Sequence, residues 1–309
     1  MGGVTLLAPA AGLLGATVGE LWRPFGDALG VRHDFDDALL LFTLGFARWA
    51  PVFGMTPFIG GRLVPNPIRV GLAVFMALWV LPWVSAQAPL PLGITSVGWW
   101  ALLLKEVLIG FLLAFGAGLV FWAAEMGGRF IDNVRGTTTA NLLIPQVSTQ
   151  SSLLGDFYYQ LFVVLYVLAG GHLWFLSAVF QSYEILPPTT AALALATAAE
   201  SFIAATGGLF VVALKIMAPA LVVLMLMDLM LGVANRMAPQ LDVFFISLSL
   251  KSAVGSLVVA LSLYYLLGMA PDFFRDQHRW LGETIHSLPA ENGAEPSPPP
   301  AAAAADEAR

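Results

Sequence analysis

Six ionisable side chains lie inside the long apolar segments of this chain of 309 residues. At the centre of a bilayer each would cost roughly 2.5–3.5 kcal/mol on insertion scales, so such groups face partner helices, water or each other, and an intramembrane carboxylate can also bind a coupling ion. We expect five of them, all except Lys251, to need partners that one chain does not supply. The six residues are Arg48, Lys105, Glu106, Lys215, Asp228 and Lys251.

The spacing of these residues gives few pairs within one helix. Lys105 and Glu106 are neighbours that point about 100° apart on a helix, which favours a structural role in contact with separate partners. A pair between Lys215 and Asp228 is possible, but it is not at the spacing of three or four residues that brings helical side chains together.

No catalytic constellation occurs in the sequence. A Gly-x-Ser-x-Gly elbow, a phosphate-binding glycine loop and a His-Glu-x-x-His motif are all absent. Ser151, Ser152 and Asp156 are close together but have no histidine near them. The chain has no cysteine, and its four histidines are not paired at metal-ligand spacing. We therefore predict that the protein is not an enzyme and has no cofactor or metal.

Composition places the chain in a membrane. Apolar residues make up 58% and charged residues 11%, and the mean hydropathy is +0.81, whereas soluble domains are roughly 45–50% apolar and about 25% charged. The net charge is -6 and no basic surface is indicated, so nucleic acid is excluded as a partner.

The predicted fold class is an all-α membrane protein with about six long apolar helices. Each apolar stretch approaches or exceeds the length of about 20 residues that crosses a bilayer, and none alternates as a barrel strand does. Several are interrupted by proline or glycine, which is typical of helices that are buried in protein or line a cavity. The stretches are 38–60, 68–86, 97–123, 157–180, 202–231 and 243–269.

Four regions follow from this pattern. We predict an N-terminal extension at 1–35, a membrane domain at 36–270, an amphipathic segment at 271–288 and a disordered tail at 289–309. The tail consists mainly of Pro, Ala, Glu and Ser, which cannot bury enough apolar surface to offset the entropy of ordering.

Two connectors have unusual sequences. The connector 125–156 is long and has few charges, yet it retains apolar residues, so we expect it to rest against another surface. The connector 235–242 combines an arginine, a proline, a glutamine and an aspartate between two apolar runs, which predicts a shaped turn.

The motifs of these connectors resemble the type III secretion export-apparatus family, which comprises flagellar FliR and injectisome SctT. The similar segments are 131–136, 170–174 and 231–245, in the family's order, and the resemblance extends from about residue 40 to residue 269. The sequences 132–138 and 150–155 favour the injectisome branch.

The resemblance implies an export-gate subunit of the bacterial inner (cytoplasmic) membrane, with several spans, that forms part of a conduit for unfolded secreted proteins. The implied partners are SctR-like and SctS-like subunits, an SctU-like switch protein, the unfolded substrates and membrane lipid.

The resemblance also assigns roles to the two connectors. The family's plug corresponds to 135–151 here, with Arg135, Gly136, Thr137, Thr138, Thr139, Leu142, Leu143, Pro145 and Ser151 as its candidate residues. Hydroxyl groups suit a reversible seal, and leucines can close an apolar constriction. The candidate assembly turn consists of Asn235, Arg236, Pro239, Gln240 and Asp242.

Two other functions are compatible with the composition. A secondary transporter of a small solute would use Glu106 or Asp228 as its coupling site and would show inverted repeats, for which the sequence has only a faint echo of Arg48 at Arg236. A membrane scaffold would differ from the export gate only in lacking a pore.

Overall fold

The computed structural model describes residues 20–61, 64–89, 96–136, 152–190, 193–237 and 243–289, and their regular structure is entirely helical. This confirms the all-α membrane class. The helices are α1 (20–29), α2 (Phe35–Met55), α3 (Pro57–Gly60), α4 (Asn66–Gln87), α5 (Ser96–Arg135), α6 (Leu153–Leu168), α7 (Gly171–Ile185), α8 (Leu195–Met237) and α9 (Val243–Ser287).

Helix boundaries follow from local chemistry. α3 begins at Pro57, directly after the extended residue Thr56, because the ring of a proline at the first helical position suits helical φ. α6 begins after Ser152, whose hydroxyl accepts a hydrogen bond from the Gly155 amide. Gly170 has φ 76°, a left-handed conformation that favours glycine, and it separates α6 from α7.

Helix α5 passes through two hydrophobic clusters. The first cluster lies among α2, α4, the first half of α5, α7 and the C-terminal end of α9, with Trp49, Leu113 and Tyr183 fully buried. The second lies among the rest of α5, α6, α8 and the middle of α9, with Phe121 and Phe162 at its centre. Because α5 contacts α2, α6, α8 and α9, it is the axis of the fold.

Three helices are far longer than a bilayer requires. α5, α8 and α9 have 40, 43 and 45 residues, which corresponds to about 60–68 Å at 1.5 Å per residue, whereas the hydrocarbon core is about 30 Å thick. These helices therefore extend well beyond the hydrocarbon core at one or both ends.

The number of candidate membrane spans agrees with the number predicted from sequence, but one of the spans is a bent pair of helices. Five described helices are long and apolar enough to cross a membrane, and α6 with α7 makes a sixth only as a pair bent by 74°. This agrees with the prediction that several stretches are interrupted by proline or glycine, because the chain breaks at Gly170 within 157–180. The stretch 38–60 is likewise interrupted, at Thr56, by the restart of the helix at Pro57.

The two connectors are shorter than the sequence suggested. α5 continues to Arg135, and two ion pairs at helical spacing support its last turns, Arg129 with Glu125 at 2.5 Å and Arg135 with Asp132 at 3.5 Å. α8 continues to Met237, so the segment assigned to a turn from residue 235 is helical at its start.

Two of the predicted region boundaries fall inside continuous structure. α9 continues through Pro271 to Ser287, so the amphipathic segment 271–288 is the second half of one long helix. Residues 20–35 of the extension belong to the packed structure, because Val31 and His33 are buried and the Trp22 indole donates to the His33 carbonyl at 3.0 Å. Residues 1–19 and 290–309 lie outside the described residues.

The crossing of α2 and α5 depends on a glycine. A Cβ at Gly110 would collide with the backbone carbonyl of Arg48, so we expect Gly110→Ala to lower the free energy of unfolding by about 1–3 kcal/mol through forced separation of the helices. The matched control is Gly268→Ala, which meets open space on an exposed helical face and should be neutral or stabilising by about 0.5–1 kcal/mol. Denaturant unfolding of the purified chain in detergent measures both, and equal stability of the two variants would contradict this account.

Candidate functional site

A buried ion pair joins α2 to α5. Arg48 donates through Nε to Glu106 Oε2 at 2.6 Å and through Nη2 to Oε1 at 2.9 Å, and both side chains are fully buried. Arg48 also donates to the Ser182 hydroxyl at 3.1 Å and to the Leu186 carbonyl at 2.8 Å, and its guanidinium lies 4.0 Å from the centre of the Tyr183 ring. The bidentate geometry and the stacking make this a strong pair.

The Lys105 ammonium lies within a shell of oxygen atoms. Its Nζ is 2.8 Å from the Pro187 carbonyl, 3.2 Å from that of Pro188, 2.5 Å from that of Thr190 and 3.1 Å from Glu106 Oε1. An ammonium has three donors, and four acceptors are present, so its hydrogen-bonding capacity is fully used. Lys105 thereby fixes the connector between α7 and α8 to α5.

Two cations share one carboxylate in this cluster. One carboxylate cannot neutralise both Arg48 and Lys105. Both cations also donate to backbone carbonyls that follow the C-terminal end of α7, which is the negative end of the helix dipole. A buried polar network in which each charge has partners is rigid. This geometry suits a structural junction of α2, α5 and α7, and it has no free group for acid–base chemistry.

A second polar cluster lies at the far end of α5. Asp132 Oδ2 accepts hydrogen bonds from the Ser152 hydroxyl at 2.7 Å and from the Leu154 amide at 2.9 Å. The carboxylate therefore caps the positive N-terminal end of α6. Gly128 allows α5 and α6 to approach, since a Cβ there would lie 2.6 Å from the Leu154 carbonyl oxygen. The residues that precede and follow the segment 137–151 are consequently held together.

Arg135 connects this cluster to α9. Its Nη2 donates to the Ser256 hydroxyl at 2.7 Å and to the Ser252 carbonyl at 3.2 Å, while Nη1 faces Asp132. Gly136 follows with φ 80°, a left-handed conformation that ends helices readily when glycine supplies it. The last residue of α5 thus bonds to α9 at the point where the segment 137–151 begins.

Asp228 on α8 and Lys251 on α9 form an ion pair. Asp228 therefore does not pair with Lys215, which is exposed and forms no ion pair within the part of the chain that the structure describes. With the Arg48 cluster, four of the five residues expected to need partners from other chains are paired inside this chain, and Lys215 is the exception among the described residues.

The other candidate residues divide between described and undescribed positions. Asn235 and Arg236 occupy the last turn of α8 and are exposed. The remaining candidates of the plug and the turn lie outside the described residues, namely Thr137, Thr138, Thr139, Leu142, Leu143, Pro145, Ser151, Pro239, Gln240 and Asp242. Within the described ranges, no group of three or more His, Asp or Glu side chains could hold a metal ion.

The contact between Asp132 and Ser152 was missed from sequence. The sequence did indicate the position of Ser152, because a serine before an apolar run, with Asp156 in the first turn, is typical of a helix N-terminus. The partner carboxylate is twenty positions away and carries no periodic signal, so its contact could not be predicted.

Comparison with known proteins gives one family and several relatives. Residues 39–276 match the family described as "Bacterial export proteins, family 1". Secretion system apparatus protein SsaT of Salmonella typhimurium is 30% identical over 238 residues, which is 77% of this chain and 92% of SsaT. Yop proteins translocation protein T of Yersinia pestis is 30% identical over 72% of this chain and 85% of its own length. Flagellar biosynthetic protein FliR of Bacillus subtilis is 31% identical over 75% and 90%.

The buried pair of Arg48 and Glu106 should dominate the stability of the first cluster. We expect Glu106→Gln to lower the free energy of unfolding by about 3–5 kcal/mol, because two buried cations would lose their carboxylate. Asp272→Asn is the control, since its ion pair with Arg275 is more than 60% exposed on both sides and should contribute less than about 1 kcal/mol. Denaturant unfolding in detergent measures the difference, and an equal, small effect of both substitutions would show that the pair does not hold the cluster.

Proposed function

The chain belongs to the bacterial export protein family 1, and on that premise we propose that it is a membrane component of the export gate of a type III secretion apparatus. The similarity to SsaT carries the proposal, because it covers 92% of a protein named for such an apparatus. The chain is a multi-pass protein of the bacterial inner membrane, as its apolar helices and its family indicate.

The proposed partners are SctR-like and SctS-like subunits, an SctU-like switch protein and unfolded secreted substrates. Large apolar side chains on α8 support an assembly in lipid, since Leu214, Leu229 and Met230 are more than half exposed. We assign the chain no catalytic activity within this assembly. We also propose the injectisome branch, on the segments 132–138 and 150–155. Overall identity does not separate the branches, because it is 30% to the two secretion relatives and 31% to the flagellar relative.

We propose further that 135–151 forms the gate of the conduit. The base of this segment supports the proposal, because Asp132 holds Ser152 and Arg135 bonds to α9. A segment anchored at both ends by a rigid helix pair can be displaced and can return to one position. The turn residues Asn235, Arg236, Pro239, Gln240 and Asp242 are proposed to fix the direction between α8 and α9 for assembly.

A secondary transporter is not favoured. Its proposed coupling carboxylates are both engaged, since Glu106 pairs with Arg48 and Lys105 and Asp228 pairs with Lys251. Family membership also indicates protein export.

Deletion of the gene tests the main proposal. The deletion strain should lose secretion of type III substrates, and wild-type chain supplied in trans should restore it and co-purify with the neighbouring export subunits. The readouts are substrate in the culture medium and the composition of the detergent-extracted complex. Normal secretion without the chain, or a purified chain that carries no export subunit, would refute the proposal.

Deletion of residues 138–148 tests the gate. The complex should still assemble, because the contacts of Asp132, Ser152 and Arg135 lie outside the deletion, but it should conduct small ions in the resting state. Leu142→Asp should produce a partial leak through hydration of the constriction. Conductance of the reconstituted complex measures both.

A second variant, Arg236→Ala, tests the proposed assembly turn. We expect it to prevent assembly, so that no complex can be purified, whereas the 138–148 deletion should give an assembled complex that conducts. The two different outcomes distinguish the gate from the turn. Identical sealing of the wild-type complex and the 138–148 deletion would remove the gate proposal, while the main proposal would stand on the secretion result.

A further inference from the structure

A pocket of about 180 Å³ lies among α5, α8 and the second half of α9. Three polar side chains line it, Lys215 from α8 and Asp276 and Gln277 from α9. Its other walls are predominantly apolar and include Leu119, Val120, Leu209, Val212, Phe273 and Trp280.

The two charges of the pocket do not meet. Lys215 and Asp276 are both exposed, and neither forms an ion pair with the other or with another residue in the described ranges. Gln277 is buried and donates through Nε2 to the carbonyls of Gly116 at 2.8 Å and Ala117 at 2.6 Å, while its Oε1 has no hydrogen-bond donor among the described residues. The pocket thus offers one cation, one anion and one buried acceptor.

The surroundings of the pocket are amphipathic. On one side α8 exposes apolar side chains, including Phe210 and Val211, each more than half accessible. On the other side α9 exposes charged residues beyond Pro271, among them Asp272 and Arg275. A molecule in this pocket would therefore contact an apolar helix surface and a water-facing one at the same time.

We propose that this pocket binds a bilayer phospholipid whose headgroup carries both a phosphate and a primary ammonium, as in phosphatidylethanolamine. Lys215 binds the phosphate and Asp276 accepts hydrogen bonds from the ammonium. An acyl chain lies along the apolar wall formed by α5 and α8. The lysine, which is otherwise an unpaired charge in an apolar span, obtains its counter-ion from the lipid.

Charge and hydrogen bonding together select this lipid over the other common headgroups. Phosphatidylglycerol supplies the phosphate but has no cation for Asp276. Phosphatidylcholine has a quaternary ammonium, which carries no N–H group to donate to the carboxylate. Only the ethanolamine headgroup of the three matches both side chains with hydrogen bonds.

Lipid retention tests the proposal with the full-length chain. The chain is reconstituted in nanodiscs containing equal amounts of phosphatidylethanolamine, phosphatidylglycerol and phosphatidylcholine, extracted in mild detergent, and measured by native mass spectrometry. The wild type should retain phosphatidylethanolamine at least threefold over either other lipid. Lys215→Met should reduce retention of every phospholipid about fivefold. Asp276→Leu, which removes both the charge and the hydrogen-bond acceptor, should still retain phospholipid but lose the preference for ethanolamine over choline.

Matched controls lie on α9 outside the pocket lining, since Asp272 is one turn before Asp276 and Arg275 is its neighbour in sequence. Asp272→Leu and Arg275→Met remove the same charge types from an exposed pair and should leave retention and preference unchanged. A photoactivatable phosphatidylethanolamine with a diazirine in its acyl chain should label peptides containing Leu209 and Val212, and Lys215→Met should abolish this labelling. The same labelling is carried out in intact membranes, so that a variant that does not survive purification can still be tested.

The proposal fails if the wild type retains the three lipids in the proportions supplied, or if Lys215→Met and Arg275→Met have the same effect. It also fails if the site cross-links to another protein chain in place of the lipid probe, since a partner helix would then occupy the pocket. Secretion is not a readout of these experiments, so their failure leaves the proposed export function untouched.

Discussion

The buried ion pair of Arg48 and Glu106 is the interaction on which the arrangement of the first cluster depends. Burying two cations and a carboxylate away from water is unfavourable unless each group finds partners in a fixed geometry. Those partners come from α2, α5, the end of α7 and the connector that follows it. The network therefore tolerates only one relative position of these elements, and it sets the point from which α8 departs.

From this junction α5 carries the structure to the second cluster. Its length of 40 residues lets one helix pack against α2 near its beginning and against α6 near its end. Glycines make both crossings close, Gly110 at α2 and Gly128 at α6. The polar cluster around Asp132 is consequently positioned by the same rigid element that contains Glu106, although the two clusters share no residue.

The sequence predicted the class of the fold well, because apolar stretches of about 20 residues are a direct signal of spanning helices. It predicted helix ends poorly. Arg129 and Arg135 were interpreted as connector residues, whereas both lie in α5 and pair with carboxylates four and three positions earlier, respectively. Pro271 read as a boundary, but a helix can continue through proline when its neighbours absorb the lost hydrogen bond.

The candidate sites show a similar division. The six ionisable residues stand out in the sequence, but their pairing could not be predicted, since Arg48 and Glu106 are 58 positions apart and no helical period connects them. Lys105 donates to three backbone carbonyls. Every residue has a carbonyl group, so the residue types in a sequence do not show which carbonyls accept a hydrogen bond. The family resemblance located the two connectors, whereas the bond from Asp132 to Ser152 emerged only from the folded chain.

That bond also closes a ring in the covalent chain, because Asp132 and Ser152 are twenty positions apart in sequence and yet in contact. Bringing two such positions together costs chain entropy during folding. The hydrogen bonds from the Ser152 hydroxyl and the Leu154 amide to Asp132, together with the close approach of the helices at Gly128, must offset this cost. Since the cost rises only by about 0.6 kcal/mol for each doubling of the number of residues between the two positions, the junction of α5 and α6 should tolerate a change in that number far better than the loss of the Asp132 carboxylate.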